Sequence, residues 1–379
     1  MPEYTQLELR TLNGPEYRRV STAPPRIPTD DEIPVIDLSP INGSLEDRQQ
    51  IATKIRAAAE NTGFFYIKNH GIPEDLIERA LNTAKDFFNQ PIEGKEKVSH
   101  KRSEHNDGYH GVGTTQINNR ESRDQKETFS VRYNPQNDPT ITNPATLLSD
   151  PSAAFNTQEY IWSGTSHIPS FKETTIEFYQ ARLALARKMI RLFALALHLP
   201  KSYFDEVTTH PGADGLYVHY PGTQTRTPNV DSASTSTSTS PETETEPKAD
   251  IDVGIGSHTD IQCITLLWQD NSGGLQVLSS SDEWLDARPI EGTLVVNIGD
   301  FLQRLSNNRF KSTVHRVYNR QPTSRYSMPF FLGFNPESVL RVVESCVDEE
   351  HPVLFEPIAC GEWHRARLNL ARQTTAPAA

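Results

Sequence analysis

Between residues 215 and 334 the chain falls into short strand-like runs at even spacing. These are "GLYVHYP" (215–221), "GIGSH" (254–258), "ITLLWQ" (264–269), "LQVLS" (275–279), "TLVVNIG" (293–299), "STVHRVYN" (312–319) and "RYSMPFFLGF" (325–334). Glycine, asparagine and proline separate them, as turn residues do. Many short strands spaced in this way pack as a sandwich, a jelly roll or a barrel. The expected fold class is therefore mixed α and β, with a β core and helices outside it.

Ahead of that block the pattern is mostly helical. "IPVIDL" (33–38) reads as a strand and "FFYIKN" (64–69) as a buried strand. Residues 45–63 read as a helix closed by Gly63, and 73–89 as a second helix with Pro73 near its start. Ile176, Tyr179, Leu183, Ala186, Ile190, Phe193 and Leu197 step by three and four, while Glu177, Arg187, Lys188 and Arg191 fall on other faces. One long amphipathic helix must lay that stripe on something apolar. Residues 360–373 read as a last helix.

The expected organisation is a polar N-terminal arm (1–30), a mainly helical part supporting the core (31–214), the β core (215–340) and a C-terminal segment (341–379), all in one globular unit. Residues 134–170, rich in Asn, Pro, Ser and Thr, read as a long connection. The stretch "NVDSASTSTSTSPETETEPKAD" (229–250) has no aromatic residue and five acids against Lys248. It reads as a disordered surface insertion. A lid or docking segment is the sharper reading, because the stretch joins two strands assigned below to a site.

Charge and cysteine usage exclude several function classes. The 379 residues carry a formal net charge of −12, which opposes binding to nucleic acid or an anionic membrane. Cys263, Cys346 and Cys360 form no CxxC pair, so neither a disulfide framework nor a thiolate zinc site is expected. The N-terminus has no apolar h-region and the chain no run of eighteen apolar residues. A cytoplasmic monomer or weak oligomer acting on a small molecule is the expectation.

Chemistry concentrates in "SHTDIQCITLLWQD" (257–270). Residues two apart on a strand share a face, so His258 and Asp260 can aim at one point, with Cys263 turned away. An HxD pair alone fits a surface turn equally well. His315, inside a strand 55 positions after Asp260, adds a third donor. Two histidines and one carboxylate form the facial set of non-haem Fe(II), which leaves positions open. Structural zinc usually takes a closed set of four, commonly with thiolate. In "SRYSMPFFL", Arg325 and Ser327 share a face. A buried arginine needs an anion, either an internal acid or a ligand carboxylate held by the guanidinium with the serine hydroxyl assisting. Tyr220 on a neighbouring strand can add a hydrogen bond.

These residues carry a resemblance that covers nearly the whole chain. "IPVIDLS", "GFFYIKNHGI", "DGYHGVG…KETFSVRYNP", "WSGTSHIPSFKETTIEFY", "HTD", "GGLQVL", "VVNIGD", "KSTVHRV", "RYSMPFF" and "FEPIACGEW" appear in order. The sequence resembles the 2-oxoglutarate- and Fe(II)-dependent dioxygenases of the isopenicillin N synthase-like family. The resemblance implies a double-stranded β-helix (jelly-roll) core with flanking helices and iron held by His258, Asp260 and His315. It also implies 2-oxoglutarate held through its distal carboxylate by Arg325, Ser327 and Tyr220. The family often has asparagine two places before that tyrosine, where this chain has Val218.

The implied cofactors are Fe(II), 2-oxoglutarate as cosubstrate and dioxygen, with ascorbate as a reductant. The implied reaction releases succinate and CO2 while a substrate C–H bond is hydroxylated, desaturated or closed into a ring, in secondary metabolism. Tyr109, His110, Gln116 and Phe331 are candidates for the substrate mouth. His70, His219 and His364 are not expected to bind metal. Rival readings are a facial-set oxidase that binds a substrate carboxylate at the arginine, a non-enzymatic iron or 2-oxoglutarate sensor, and a zinc hydrolase.

Overall fold

The computed structural model describes residues 3–103, 107–144, 158–223 and 253–372. The stretch 229–250 lies outside the described residues, as does 145–157 of the long connection.

The chain opens with two strands, β1 (Tyr4–Thr11) and β2 (Gly14–Ser21), paired as an antiparallel hairpin. This corrects the reading of residues 1–30 as an arm. Asn13 and Gly14 sit at the turn, and Gly14 has φ +106°. Asn-Gly between alternating residues is a strong short-range hairpin signal. Next come β3 (Val35–Asp37), the helix Leu45–Asn61, β4 (Phe64–Lys68) and the helix Glu74–Phe88. Ser44 and Asp47 cap the first helix reciprocally. Gly63 ends it with φ +70°, and a Cβ there would overlap the Lys311 carbonyl. β5 (Gly108–His110) and β6 (Glu127–Arg132) precede the long helix Phe171–Ala196.

The core strands that follow are β7 (Ala213–Tyr220), β8 (Ile255–His258), β9 (Ile264–Gln269), β10 (Leu275–Leu278), β11 (Trp284–Asp286), β12 (Thr293–Ile298), β13 (His315–Val317) and β14 (Arg325–Leu332), and Val339–Leu340 pairs with Ile358–Ala359 beyond them. The helix Cys360–Arg372 closes the described chain. Among the described residues no helix is long and apolar enough to cross a membrane.

Eight strands form one sheet in the order β3-β4-β12-β9-β14-β7-β6-β5, and four form another in the order β11-β10-β13-β8. Strand alternation divides the large sheet's side chains between two partners. Phe64, Tyr66, Val218, Tyr220 and Val295 pack with Leu275, Val277, Leu285 and Val317 of the small sheet. Phe65, Ile67, Leu266, Val296 and Phe330 face the opposite way, into a core shared with the helices. Each such side chain contributes about 1.5–3 kcal/mol by leaving water. The result is three layers: helices, large sheet, small sheet.

The long helix buries Tyr179, Leu183, Ala186, Ile190 and Phe193 of the expected stripe. Its polar residues bond sideways, Arg187 to Asp138 at 2.7 Å and Arg191 to Asp205 at 2.8 Å. It begins at Phe171, earlier than the stripe suggests, because Phe171, Thr174 and Thr175 are also buried.

Candidate metal centre and anion cradle

Three potential ligands meet at one end of the small sheet. β8 and β13 run antiparallel with His258 directly opposite His315, so the ring centroids lie 4.3 Å apart. Phe64 packs its edge against the His315 ring, centroids 5.3 Å apart. Asp260 lies beyond the end of β8, so strand alternation is not what aims it. The turn from Thr259 to Cys263 brings Asp260 Oδ1 to 3.8 Å from Nε2 of His258 and 3.8 Å from Nε2 of His315. One donor atom of each residue lies within 4.8 Å of the other two. Cys263 points away, into the core.

The atoms turned away from this point are already bonded. His258 Nδ1 is 2.7 Å from the Gly256 carbonyl and His315 Nδ1 is 3.1 Å from the Thr313 carbonyl. A carbonyl only accepts, so each Nδ1 carries a proton and Nε2 is the ring nitrogen left to face the opening. Asp260 Oδ2 accepts from Asn297 Nδ2 at 2.7 Å and from the Thr265 hydroxyl. Asn297 and Thr265 are cross-strand partners on β12 and β9. The turn itself is pinned by Asp300 N, which donates to the Asp260 carbonyl at 2.7 Å. Gly299 passes so close that a Cβ would overlap the Gln262 carbonyl.

The electrostatics match the geometry. Burial, then His315, and more weakly the Lys126 ammonium hold His258 well below the ordinary histidine value, against Asp260 and the Gly256 carbonyl. Burial alone would push Asp260 up, but the two imidazoles and the bonds from Asn297 and Thr265 outweigh it and hold the carboxyl down. Two imidazoles and one carboxylate are a donor set that fits a divalent first-row metal with open positions.

A second site lies between the sheets. Arg325 and Tyr220 are opposite each other on β14 and β7, and Ser327 stands opposite Gln269 of β9. Arg325 is 1% exposed. Its Nε donates to the Gly273 carbonyl at 2.6 Å and one terminal nitrogen to Gln269 Oε1 at 3.0 Å. The other terminal nitrogen is buried without a partner. Among the described residues no carboxylate pairs with Arg325, so the internal-acid alternative has no support. Tyr220 meets the guanidinium through its ring face, 4.7 Å away. Val218 packs beside Tyr220 in the apolar cluster between the sheets. A buried guanidinium with an uncommitted nitrogen fits one carboxylate.

A cavity of about 310 Å³ opens on the metal centre. His258 and Asp260 line it with residues of β6, β7, the first hairpin and the last helix, among them Thr128, Leu216, Leu9 and Leu368. Of the mouth candidates, His110 and Phe331 line it. Gln116 does not, although its neighbours Thr115 and Ile117 do. Tyr109 is buried instead, donating to Glu127 at 2.7 Å. Glu127 also takes Lys95 Nζ at 2.7 Å and lies 2.7 Å from His219 Nδ1, so His219 serves that network. His364 lines the cavity from the last helix but is not among the three converging donors. His70 bonds locally to the Ile72 amide at 3.2 Å.

Asn297, Thr265 and Gln269 escaped the reading of the sequence. For Asn297 a signal existed: it is the one polar residue inside "LVVNI".

Comparisons with known proteins identify a family. Residues 33–150 match the family described as non-haem dioxygenase in morphine synthesis N-terminal, and residues 233–334 match the 2OG-Fe(II) oxygenase superfamily. The chain is 41% identical to a 2-oxoglutarate-Fe(II) type oxidoreductase, ppzC, of Metarhizium majus, over 97% of this chain and 95% of that one. It is 32% identical to another such oxidoreductase, hxnY, of Emericella nidulans, over 86% of each. A Neurospora crassa protein solved with alpha-KG and thymine superposes with a TM-score of 0.69 at 28% identity, over 91% of this chain and 98% of that one.

Proposed function

The chain belongs to the 2OG-Fe(II) oxygenase superfamily, and from that premise we propose that His258, Asp260 and His315 hold the iron while Arg325, Ser327 and Tyr220 hold the distal carboxylate of 2-oxoglutarate. It is a non-haem Fe(II)- and 2-oxoglutarate-dependent dioxygenase. The observation that carries the residue assignment is the convergence of three donor atoms within 4.8 Å, each on a residue whose remaining polar atom is already bonded.

When bound, the iron with 2-oxoglutarate and dioxygen supplies the oxidising power that attacks a substrate C–H bond, with release of succinate and CO2. The chain's own part is binding and orientation. His258 and His315 offer Nε2 because Nδ1–H is tied to Gly256 and Thr313. Asp260 offers Oδ1 because Asn297 and Thr265 occupy Oδ2. Three ligands leave room for a chelating cosubstrate and dioxygen. Arg325 offers its unpartnered nitrogen to the cosubstrate's far carboxylate, with the Ser327 hydroxyl as an added donor. The apolar packing of Tyr220, Val218 and Val317 around it excludes water and strengthens that bond.

We read the two sheets as the walls of a double-stranded β-helix. The runs β12-β9-β14-β7 and β10-β13-β8 support this, since every pairing in them is antiparallel and joins strands distant in the chain. The substrate is read as a small molecule of secondary metabolism, in keeping with a cavity of about 310 Å³.

The test is succinate release by purified protein supplied with Fe(II), ascorbate, 2-oxoglutarate and metabolite extracts. Turnover that requires 2-oxoglutarate is expected. Dioxygen uptake with a carboxylated substrate and no succinate would overturn the cosubstrate assignment.

A further inference from the structure

The wall of the cavity is unlike the chain as a whole. The chain is strongly acidic, at −12, yet Arg10, Lys126, Arg132 and Arg367 line the cavity against only Asp214 and Asp260. Much of this comes from one strand. Residues 126, 128, 130 and 132 alternate onto the cavity side of β6 and the residue before it, giving a row of Lys126, Thr128, Ser130 and Arg132. The opposite row, Glu127, Phe129 and Val131, is buried.

The cations of this wall are not equivalent. Arg367 is committed to Asp300, with N···O 2.6 Å. Arg132 faces Asp214 at 3.7 Å. Lys126 has a carboxylate at 3.7 Å as well, Asp124, but that acid already accepts the Thr115 hydroxyl at 2.8 Å and the Gly256 amide at 3.2 Å. A separation of 3.7 Å is beyond hydrogen-bond reach. Among the described residues the Lys126 ammonium donates no hydrogen bond, although its side chain is only 15% exposed. It lines the same cavity as His258 and Asp260, and its neighbour Asp124 accepts from the amide of Gly256, two residues before His258.

We propose that Lys126 is a specificity-determining residue that binds a carboxylate of the oxidised substrate, so that the enzyme acts on a small organic acid. The inference rests on the dioxygenase reading above. A mostly shielded ammonium that donates no hydrogen bond is costly, and a substrate anion lowers that cost. A single carboxylate fits better than a phosphate, because Asp124, 3.7 Å from the ammonium, repels a dianion more strongly than a monoanion. Thr128 and Ser130 supply hydroxyls further along the same row, and Leu216, Ile255 and Phe331 supply apolar wall for the carbon skeleton. A carboxylate could also come from the end of 2-oxoglutarate nearest the metal, and the test separates the two sources.

The experiment uses the full chain loaded with Mn(II) and 2-oxoglutarate. Benzoate, cyclohexanecarboxylate and N-acetylproline are each offered beside the matching primary amide. The relaxation of probe protons by the bound Mn(II) reads binding close to the metal. The acids should bind about tenfold to a hundredfold more tightly than the amides, the range of a charge-assisted hydrogen bond. Lys126→Met should erase that preference and Lys126→Arg should keep it. In parallel, 2-oxoglutarate binding without probe is followed by its visible charge-transfer band with Fe(II) under argon, and Lys126→Met should leave its affinity within about twofold, well inside one charge-assisted bond. Acids and amides binding alike, no acid relaxed at millimolar concentration, or a preference surviving in Lys126→Met would each overturn the proposal. So would a Lys126→Met protein that loses 2-oxoglutarate. Absence of the band in the unaltered protein would instead overturn the dioxygenase reading itself.

Discussion

Arg182 and Arg325 are both almost wholly buried, at 3% and 1% exposure, and both touch strand β14. Arg182 lies between the long helix and the large sheet. It donates to the Phe178 carbonyl at 3.3 Å and the Pro329 carbonyl at 3.2 Å. Its guanidinium is sandwiched by Phe178 at 4.0 Å and Phe330 at 5.2 Å. Burial pushes its pKa down to about 10. None of its nitrogens is left buried and unpartnered, whereas Arg325 keeps one. A buried arginine that the chain satisfies itself belongs to the packing. Arg325, with an open terminal nitrogen and no carboxylate paired with it among the described residues, is prepared for an acceptor the chain does not supply. The same contrast separates the outward atoms of the His258, Asp260 and His315 group, all bonded, from their inward atoms, which face one another across an opening.

The largest effect is expected where open atoms converge. His315→Ala removes a ligand atom, and succinate release and iron affinity should both fall by more than about a hundredfold, beyond what loss of a supporting bond to a ligand produces. Iron titration followed by turnover checks this, and normal iron binding would remove His315 from the set.

The two arginines should then part company. Arg325→Met should weaken 2-oxoglutarate by about tenfold to a hundredfold, the worth of a charged hydrogen bond. Arg182→Met should leave 2-oxoglutarate affinity alone and lower stability by about 1–3 kcal/mol in urea unfolding, since Pro329 loses a donor in the core. Equal losses of 2-oxoglutarate in the two variants would mean that burial, not the open nitrogen, marks a binding arginine.

A smaller effect is expected one bond further out. Asn297→Leu leaves Asp260 Oδ2 short of one donor and free to turn, so metal affinity should drop about tenfold while the protein still folds. Unchanged affinity would reassign Asn297 to packing of β12.

These cases show what the sequence could and could not disclose. His258, His315, Arg325 and Ser327 were legible because their residue types are costly in apolar strands unless they are used. Asp260 was reached by a rule that does not apply to it, since β8 ends at His258 and a turn does the aiming. Thr265 and Asn297 were not legible as a pair, because only the register of β9 against β12 sets them on one oxygen. The first hairpin was missed for a different reason. Its Asn-Gly turn was visible, but a polar composition outweighed the local signal, and the hairpin lines the cavity through Leu9 and Arg10. The capped helices and the large sheet were more legible, because period and punctuation repeat over many residues there.

Two aspartates extend the contrast to pH, with the smallest effect. Asp260 is held below its ordinary value by the groups around it. Asp107 is buried with the Arg132 amide as donor at 3.0 Å, and burial, with Asp214 adding to it against Arg132, pushes its pKa up to about 7. The folded protein therefore keeps a proton on Asp107 that the unfolded chain gives up near 3.8. The stabilisation this provides is full below the unfolded value and is lost as pH rises through about 7. Asp107→Asn keeps the shape and stays neutral at every pH. Its urea stability should fall less between pH 5 and pH 8 than that of the unaltered protein, by about 1–3 kcal/mol at about 1.4 kcal/mol per pKa unit. Parallel pH profiles for the two proteins would mean that Asp107 is ionised in the fold, its charge met by Arg132.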